Sequence, residues 1–230
     1  MRHIVKTMAP ASLVEWIAEN KGESNIDYEN IPTCVKTELR KKLLDEQFCL
    51  CAYTELRIER DNPRTGQARC HIEHMLPQTV CRQSRLIEKT VNYTNIVACY
   101  PADGAEDPGF GARFKDQWPS LVEEHMFLKP TDPSCESRIE YKKDGTIQAA
   151  SPSDAAANET ISRLGLKNEK LTRMRREAVL ELFQDARGTK PTRQGLQARH
   201  RALLTPIDGK LEQFYSAKRQ CLAKKIQSWQ

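Results

Sequence analysis

Chemistry concentrates in one run of the chain, Cys70-His71-Ile72-Glu73-His74-Met75-Leu76-Pro77. Two of the protein's five histidines stand three residues apart there, with a carboxylate between them. The apolar Ile72 and the closing Pro77 predict a short strand that stops abruptly. On a strand His71 and Glu73 share one face and His74 takes the other, and a twist ahead of Pro77 brings Glu73 and His74 to the border of one cleft. A carboxylate beside an imidazole is the pair that metal-assisted phosphodiester hydrolysis requires. The carboxylate holds a hard divalent cation that neutralises charge on the scissile phosphate, and the imidazole takes a proton from water. The plainer alternative is a histidine pair satisfied by hydrogen bonds in a small core.

Further along, Tyr93-Thr94-Asn95-Ile96-Val97-Ala98-Cys99 places polar residues at the opening of an apolar strand, and Gly111-Ala112-Arg113-Phe114-Lys115-Asp116 follows after turn residues. This order, His-Ile-Glu-His-x-x-Pro, Tyr-x-Asn-Ile-x-x-x-Cys and then Lys-Asp, resembles the HNH endonucleases of the PtuB type found in Septu and retron-associated anti-phage defence. Flanking residues extend the resemblance: Met1-Arg2-His3-Ile4 and the Trp16 segment, Leu43-Leu44 through Glu55, Asp132-Pro133-x-Cys135-Glu136, Tyr141-x-x-Asp144-Gly145, and Ala155 to Arg176.

The resemblance implies an endonuclease built on a ββα-metal core. His74 falls at the general base, Glu73 at a metal ligand, and Asn95 at the asparagine whose side-chain carbonyl holds the base's other N–H. His71 is matched as a ligand or as a group supporting one. The implied cofactor is a divalent metal, Mg²⁺ or Mn²⁺. The implied partners are a PtuA-like ABC-type ATPase and, in some systems, a retron reverse transcriptase with its msDNA; the implied substrate is nucleic acid, DNA or an RNA such as tRNA. One departure leaves the third ligand open. If the second cysteine turn sets the register, Asp103 is the ligand, with Asp107 a weaker substitute; if Lys115 sets it, the position is Ala112, which has no donor. A degenerate HNH module that binds nucleic acid or a partner without cutting is the rival expectation.

Cysteine spacing bears on the same region. Five of the eight cysteines (Cys49, Cys51, Cys70, Cys81 and Cys99) crowd into the middle of the chain. Structural zinc takes two thiols from each of two turns. Here Cys51-Ala52-Tyr53-Thr54 and Cys99-Tyr100-Pro101-Ala102 each lack the second thiol. The pattern argues against structural Zn²⁺ and for reduced cysteines within a cytosolic protein.

The elements that must position these residues are mainly helical. Apolar spacing predicts helices from Leu13 toward Gly22, over 32–46 with Val35, Leu39, Leu43 and Leu44 on one side, over 168–186, and over 208–228. Asp144-Gly145 between short β-like runs predicts a hairpin. The chain therefore divides into an N-terminal helical region (1–46), a nuclease core (47–118), and a hairpin followed by basic helices (119–230). The fold expected is mainly α with a small α+β HNH core. No apolar run is long enough to span a membrane, and no export signal opens the chain.

Net charge is +5, but it is unevenly placed. Residues 161–230 carry 16 Lys and Arg against 6 Asp and Glu, a net +10, which leaves the first 160 residues at −5. Arg173, Arg175, Arg176, Arg199, Arg201, Lys218, Arg219, Lys224 and Lys225 are therefore candidates to line a nucleic-acid path or to meet an acidic partner subunit. The apolar positions of the C-terminal helices, among them Leu204, Ile207, Leu211, Phe214, Leu222 and Ile226, read as core.

Overall fold

A computed structural model describes residues 1–22, 26–60, 69–184 and 191–229. Two proline-started helices open the fold, α1 (Ala11–Glu19) and α2 (Thr33–Glu46). In α2, Val35, Leu39, Leu43 and Leu44 are all buried, as their spacing requires. The next elements are β1 (His71–His74), α3 (Gln78–Gln83), β2 (Ile96–Cys99) and the single-turn α4 (Ala112–Lys115). A hairpin of β3 (Ile139–Tyr141) and β4 (Ile147–Ala149) leads to α5 (Ala155–Arg163), α6 (Glu169–Leu180), α7 (Arg193–Leu203) and α8 (Tyr215–Gln227). Among the described residues the architecture is mainly helical, with two small two-stranded antiparallel sheets.

β1 and β2 pair in the register His71↔Cys99, Ile72↔Ala98, Glu73↔Val97 and His74↔Ile96. The free edge of β2 is finished by the Gln47 side chain. Its amide oxygen accepts from Ala98 N at 2.8 Å, and its nitrogen donates to the Ala98 and Leu50 carbonyls, also at 2.8 Å. An amide that donates and accepts in this way mimics a neighbouring strand at Ala98. One continuous apolar cluster, from Met1 to Cys221, draws on all three regions of the sequence. Within it the Met1 amino group and the Glu55 carboxylate, both buried, lie 3.1 Å apart.

Several elements depart from the expected ones for local reasons. β1 ends at His74, and Pro77, three residues on, starts α3, because its fixed φ suits a helix entrance. The helix expected over 168–186 ends at Leu180 and passes into a 3-10 turn, Glu181–Phe183; residues 185 and 186 lie outside the described residues. The last helix begins at Tyr215 rather than near residue 208. Ile207 and Lys210 form a tight bridge, and Phe214 takes a left-handed φ of 56° that the helix cannot continue through. Leu204 and Ile207, expected in the core, are consequently 46% and 73% exposed.

The hairpin turn docks directly on α6. A Cβ on Gly145, whose φ is +84°, would sit 2.3 Å from the Thr172 carbonyl oxygen and 2.7 Å from Arg176 N. Buried Arg175 locks the same joint, donating to Gly145 O at 2.7 Å and to Leu166 O at 3.3 Å. Gly145→Ala must therefore separate the hairpin from α6 as well as strain the backbone. It should destabilise by more than about 2 kcal/mol. Gly104→Ala, which meets no atom within 4 Å at a comparable φ of +77°, should cost roughly 1 kcal/mol from backbone strain alone. Denaturant unfolding of the two variants checks the order; equal losses would contradict the docking.

Candidate functional site

β1 carries the site because both of its faces are enclosed: the strand is buried except at His71. His71, Glu73 and His74 border one cleft of about 240 Å³, together with Gln78 and Arg82 of α3 and with Lys115 and Asp116 at the end of α4. The strand, its twist into Pro77 and α3 thus bring both β1 faces to one cavity. Asn95 and Asp103 are not among its lining residues.

Glu73 is buried and held on every side. Its Oε1 lies 2.9 Å from Lys115 Nζ and 3.4 Å from the Tyr53 hydroxyl; its Oε2 lies 3.3 Å from His71 Nε2. Burial alone would raise its pKa, but Lys115 and His71 outweigh that and hold it below the usual carboxylate value. The Lys115 ammonium also donates to the carbonyls of Trp118, His74 and Met75 at 2.7, 3.3 and 3.4 Å.

The other nitrogen of His71, Nδ1, meets Asp103 Oδ1 at 2.8 Å, and Asp103 Oδ2 meets Arg40 at 3.0 Å. Burial opposes the charged ring, but the two carboxylates prevail and raise His71 to about 9. His71 is therefore an imidazolium at neutral pH, bridging Glu73 and Asp103 through opposite ring nitrogens. Those nitrogens point away from each other, so His71, Glu73 and Asp103 cannot close around one ion in this arrangement. Among the described residues no group of three or more His, Cys, Asp or Glu side chains is placed to hold a metal.

His74 has the opposite character. Burial lowers it to about 4, with the Thr90 hydrogen bond only partly offsetting the loss. Its Nε2 lies 2.8 Å from Thr90 O, and a carbonyl can only accept, so the neutral ring carries its proton on Nε2. Nδ1 keeps the lone pair and takes an N–H from Gln78 at 3.3 Å. The Tyr28 ring packs edge-on against the imidazole, 4.6 Å between centroids.

Asn95 is placed differently from the expectation. Its Oδ1 accepts from Leu76 N at 2.8 Å and its Nδ2 donates to the Leu76 and Lys89 carbonyls at 3.1 Å each. The partner of His74 is instead the Thr90 carbonyl, one residue beyond Lys89, so Asn95 steadies the segment that orients the His74 ring rather than the ring itself. No side-chain type at residue 90 could have announced this, because the contact is made by the backbone. Lys115 was legible only as a marker of register; nothing in its neighbours links it to Glu73, 42 positions earlier.

The truncated cysteine turns do converge. Cys51 Sγ accepts Tyr100 N–H at 3.3 Å and pairs with the Cys99 thiol, both wholly buried. Against burial, hydrogen bonds from Cys99, from Thr54 and from Tyr100 N lower Cys51 to about 6. Thr54 stands where a second thiol would be and bonds to the first. All eight cysteines are free of disulfides, and Cys34 alone is exposed.

Compared with protein-family models and with curated proteins, the chain matches none. No helix among the described residues is long and apolar enough to cross a membrane.

The two histidines should titrate at opposite ends of the pH scale. His71 is raised above its unfolded 6.5, so its stabilisation is complete below that pH and is lost as pH rises through about 9. His74 is depressed, so its contribution holds above 6.5 and is lost as pH falls toward 4. NMR titration of the imidazoles should place them accordingly, and Asp103→Asn should move His71 down while leaving His74 in place. A His71 value near 6.5 in the unaltered protein would contradict the bridge.

Proposed function

We propose that the chain is a phosphodiester hydrolase of the HNH kind, an endonuclease in which β1, β2 and α4 form the ββα unit. The observation that carries this reading is the convergence of His71, Glu73, His74 and Lys115 on one cleft, with His74 neutral and its Nε2–H held by a fixed carbonyl. Once Gln78 gives up its hydrogen bond to Nδ1, that nitrogen of His74 accepts the proton of a water attacking phosphorus. The resulting imidazolium keeps its Nε2–H on Thr90 O, and Glu73 lends it opposite charge. An anionic phosphate in the cleft raises the basicity of the ring from its low resting value.

Glu73 and His71 both face the cleft and offer the oxygen and nitrogen donors that suit Mg²⁺ or Mn²⁺. Such an ion would neutralise charge developing on the phosphate. To serve, His71 must give up its proton and Glu73 Oε2 must leave the ring. Asp103, exposed outside the cleft and tied to Arg40, stands behind His71 rather than beside Glu73.

The acidic substrate, DNA or an RNA such as tRNA, the ABC-type ATPase partner and the setting in anti-phage defence rest on the sequence resemblance. A second reading has its own support: every carboxylate oxygen of the expected ligand set already faces a cation or a hydrogen-bond donor, as in a module that binds without cutting. The test offers plasmid DNA and total RNA to the protein, alone and with the ATPase, in Mg²⁺ or Mn²⁺. His74→Ala should lose a factor of roughly 10² to 10⁴ in cleavage rate. Undiminished cleavage by His74→Ala removes this mechanism, and no cleavage by the unaltered protein with either metal favours the binding module.

A further inference from the structure

The basic C-terminal third does not present its charge evenly. Lys218, Arg219 and Lys224 of α8 are paired with Glu212, Glu136 and Glu140. Arg175 is buried as the hairpin clamp, and Arg199 is bound to the carbonyls of Leu182 and Gln184. Much of the formal excess is therefore structural.

Of the rest, Arg201 and Lys225 lie elsewhere, but Arg173 and Arg176 gather with three lysines in one place. A groove of about 910 Å³ between the β3–β4 turn and α6 is lined by Lys142, Lys167, Lys170, Arg173 and Arg176. All five are exposed, and among the described residues none forms an ion pair. Two carboxylates share the groove. Asp144 is engaged with Thr146 N and Oγ1, at 2.9 and 2.7 Å, and Glu169 sits at the start of α6. From Lys170 to Arg176 the helix advances roughly 9 Å, about three nucleotides of one strand at 3.4 Å each. The groove walls are held rigidly, because Gly145 packs against the α6 backbone and Arg175 bonds across the joint.

Chemistry chooses between kinds of polyanion. A protein partner would require apolar or aromatic anchors at the centre of its interface. The one large apolar side chain lining this groove, Ile147, is 3% exposed and faces the core. A phosphate backbone requires only cations, hydroxyls and amides, and Thr172 and Gln148 supply the latter beside the five cations. The end of the groove near Lys167 adjoins the loop that begins α4: Asn168 donates to Gly109 O at 3.4 Å, and Gly111 N donates to Leu164 O at 2.8 Å. α4 ends in Lys115, on the cleft.

We propose that this groove, distinct from the cleft, is a binding surface for the phosphate backbone of nucleic acid and leads it toward the α4 side of the cleft. The inference rests on the reading that the chain acts on nucleic acid, and does not depend on whether it cuts.

The test measures affinity for a 30-nucleotide duplex, with the full chain in EDTA, across a range of salt. Three proteins are compared: the unaltered chain, the groove variant Lys167→Glu/Lys170→Glu/Arg173→Glu, and a control of equal charge change on other faces, Lys21→Glu/Lys41→Glu/Arg85→Glu. The groove variant should bind at least tenfold more weakly, and its slope of log affinity against log salt should be smaller by about 2 to 3. The control should keep the slope of the unaltered chain. Equal losses in both variants, an unchanged groove variant, or no binding by the unaltered chain would each overturn the proposal. Hydrolysis of the small diester bis(p-nitrophenyl) phosphate separates the two readings. A groove variant that cuts it as the unaltered chain does, while binding duplex poorly, supports the groove as a binding surface alone; failure of both proteins to cut it counts against the nuclease and leaves the binding result standing.

Discussion

Everything at this site depends on one buried ammonium. Lys115 Nζ lies 2.9 Å from Glu73 with its side chain 1% exposed, and its remaining bonds go to carbonyls at the end of β1 and after α4. A carboxylate as enclosed as Glu73 cannot stay ionised without such a partner, and removing one member of a buried pair commonly costs about 3–5 kcal/mol. The same ammonium also holds the His74 and Met75 carbonyls at the end of β1. A one-turn helix of four residues is too short to be stable by itself; what keeps α4 in place is that its last side chain is committed to the opposite wall.

The two-stranded ribbon beneath the cleft is held by its surroundings. Gln47 from the end of α2 completes the β2 edge, and Cys51 and Cys99 meet below it through hydrogen bonds with Thr54 and the Tyr100 amide. The arrangement keeps the N–H···S contact expected of a metal-binding turn while a hydroxyl occupies the place of a second thiol. Hydrogen bonding and a core that runs through all three regions of the chain hold these two turns together.

Local chemistry was legible in the sequence to the extent that local patterns decide it. The apolar side of α2, the β1 strand ahead of Pro77 and the hairpin around Asp144-Gly145 follow from spacing and turn residues, and the run from His71 to His74 announced the cleft. What was not legible depends on distant or backbone partners. Asn95 was expected on His74, but it is the Thr90 carbonyl that holds the ring, and Asn95 braces Lys89 and Leu76 instead. Asp103 pairs with His71 and Arg40 because α2 happens to pass beside the second cysteine turn, a fact of packing. Leu204 and Ile207 look like core by type and are exposed because the chain turns sharply before α8. Charge misled in the same way: the count of basic residues does not show which are neutralised by Glu136, Glu140 and Glu212.

A neutral, oriented imidazole borders a cleft of fixed charges, where His74 is proposed to accept the proton of the attacking water. Chemical rescue tests this most directly. With His74→Ala, added imidazole should restore cleavage in proportion to its concentration, and the restored rate should follow the ionisation of the added base when imidazoles of different pKa are compared. Cleavage by His74→Ala that is as fast as that of the unaltered protein, or a restored rate indifferent to the pKa of the added base, would contradict the claim.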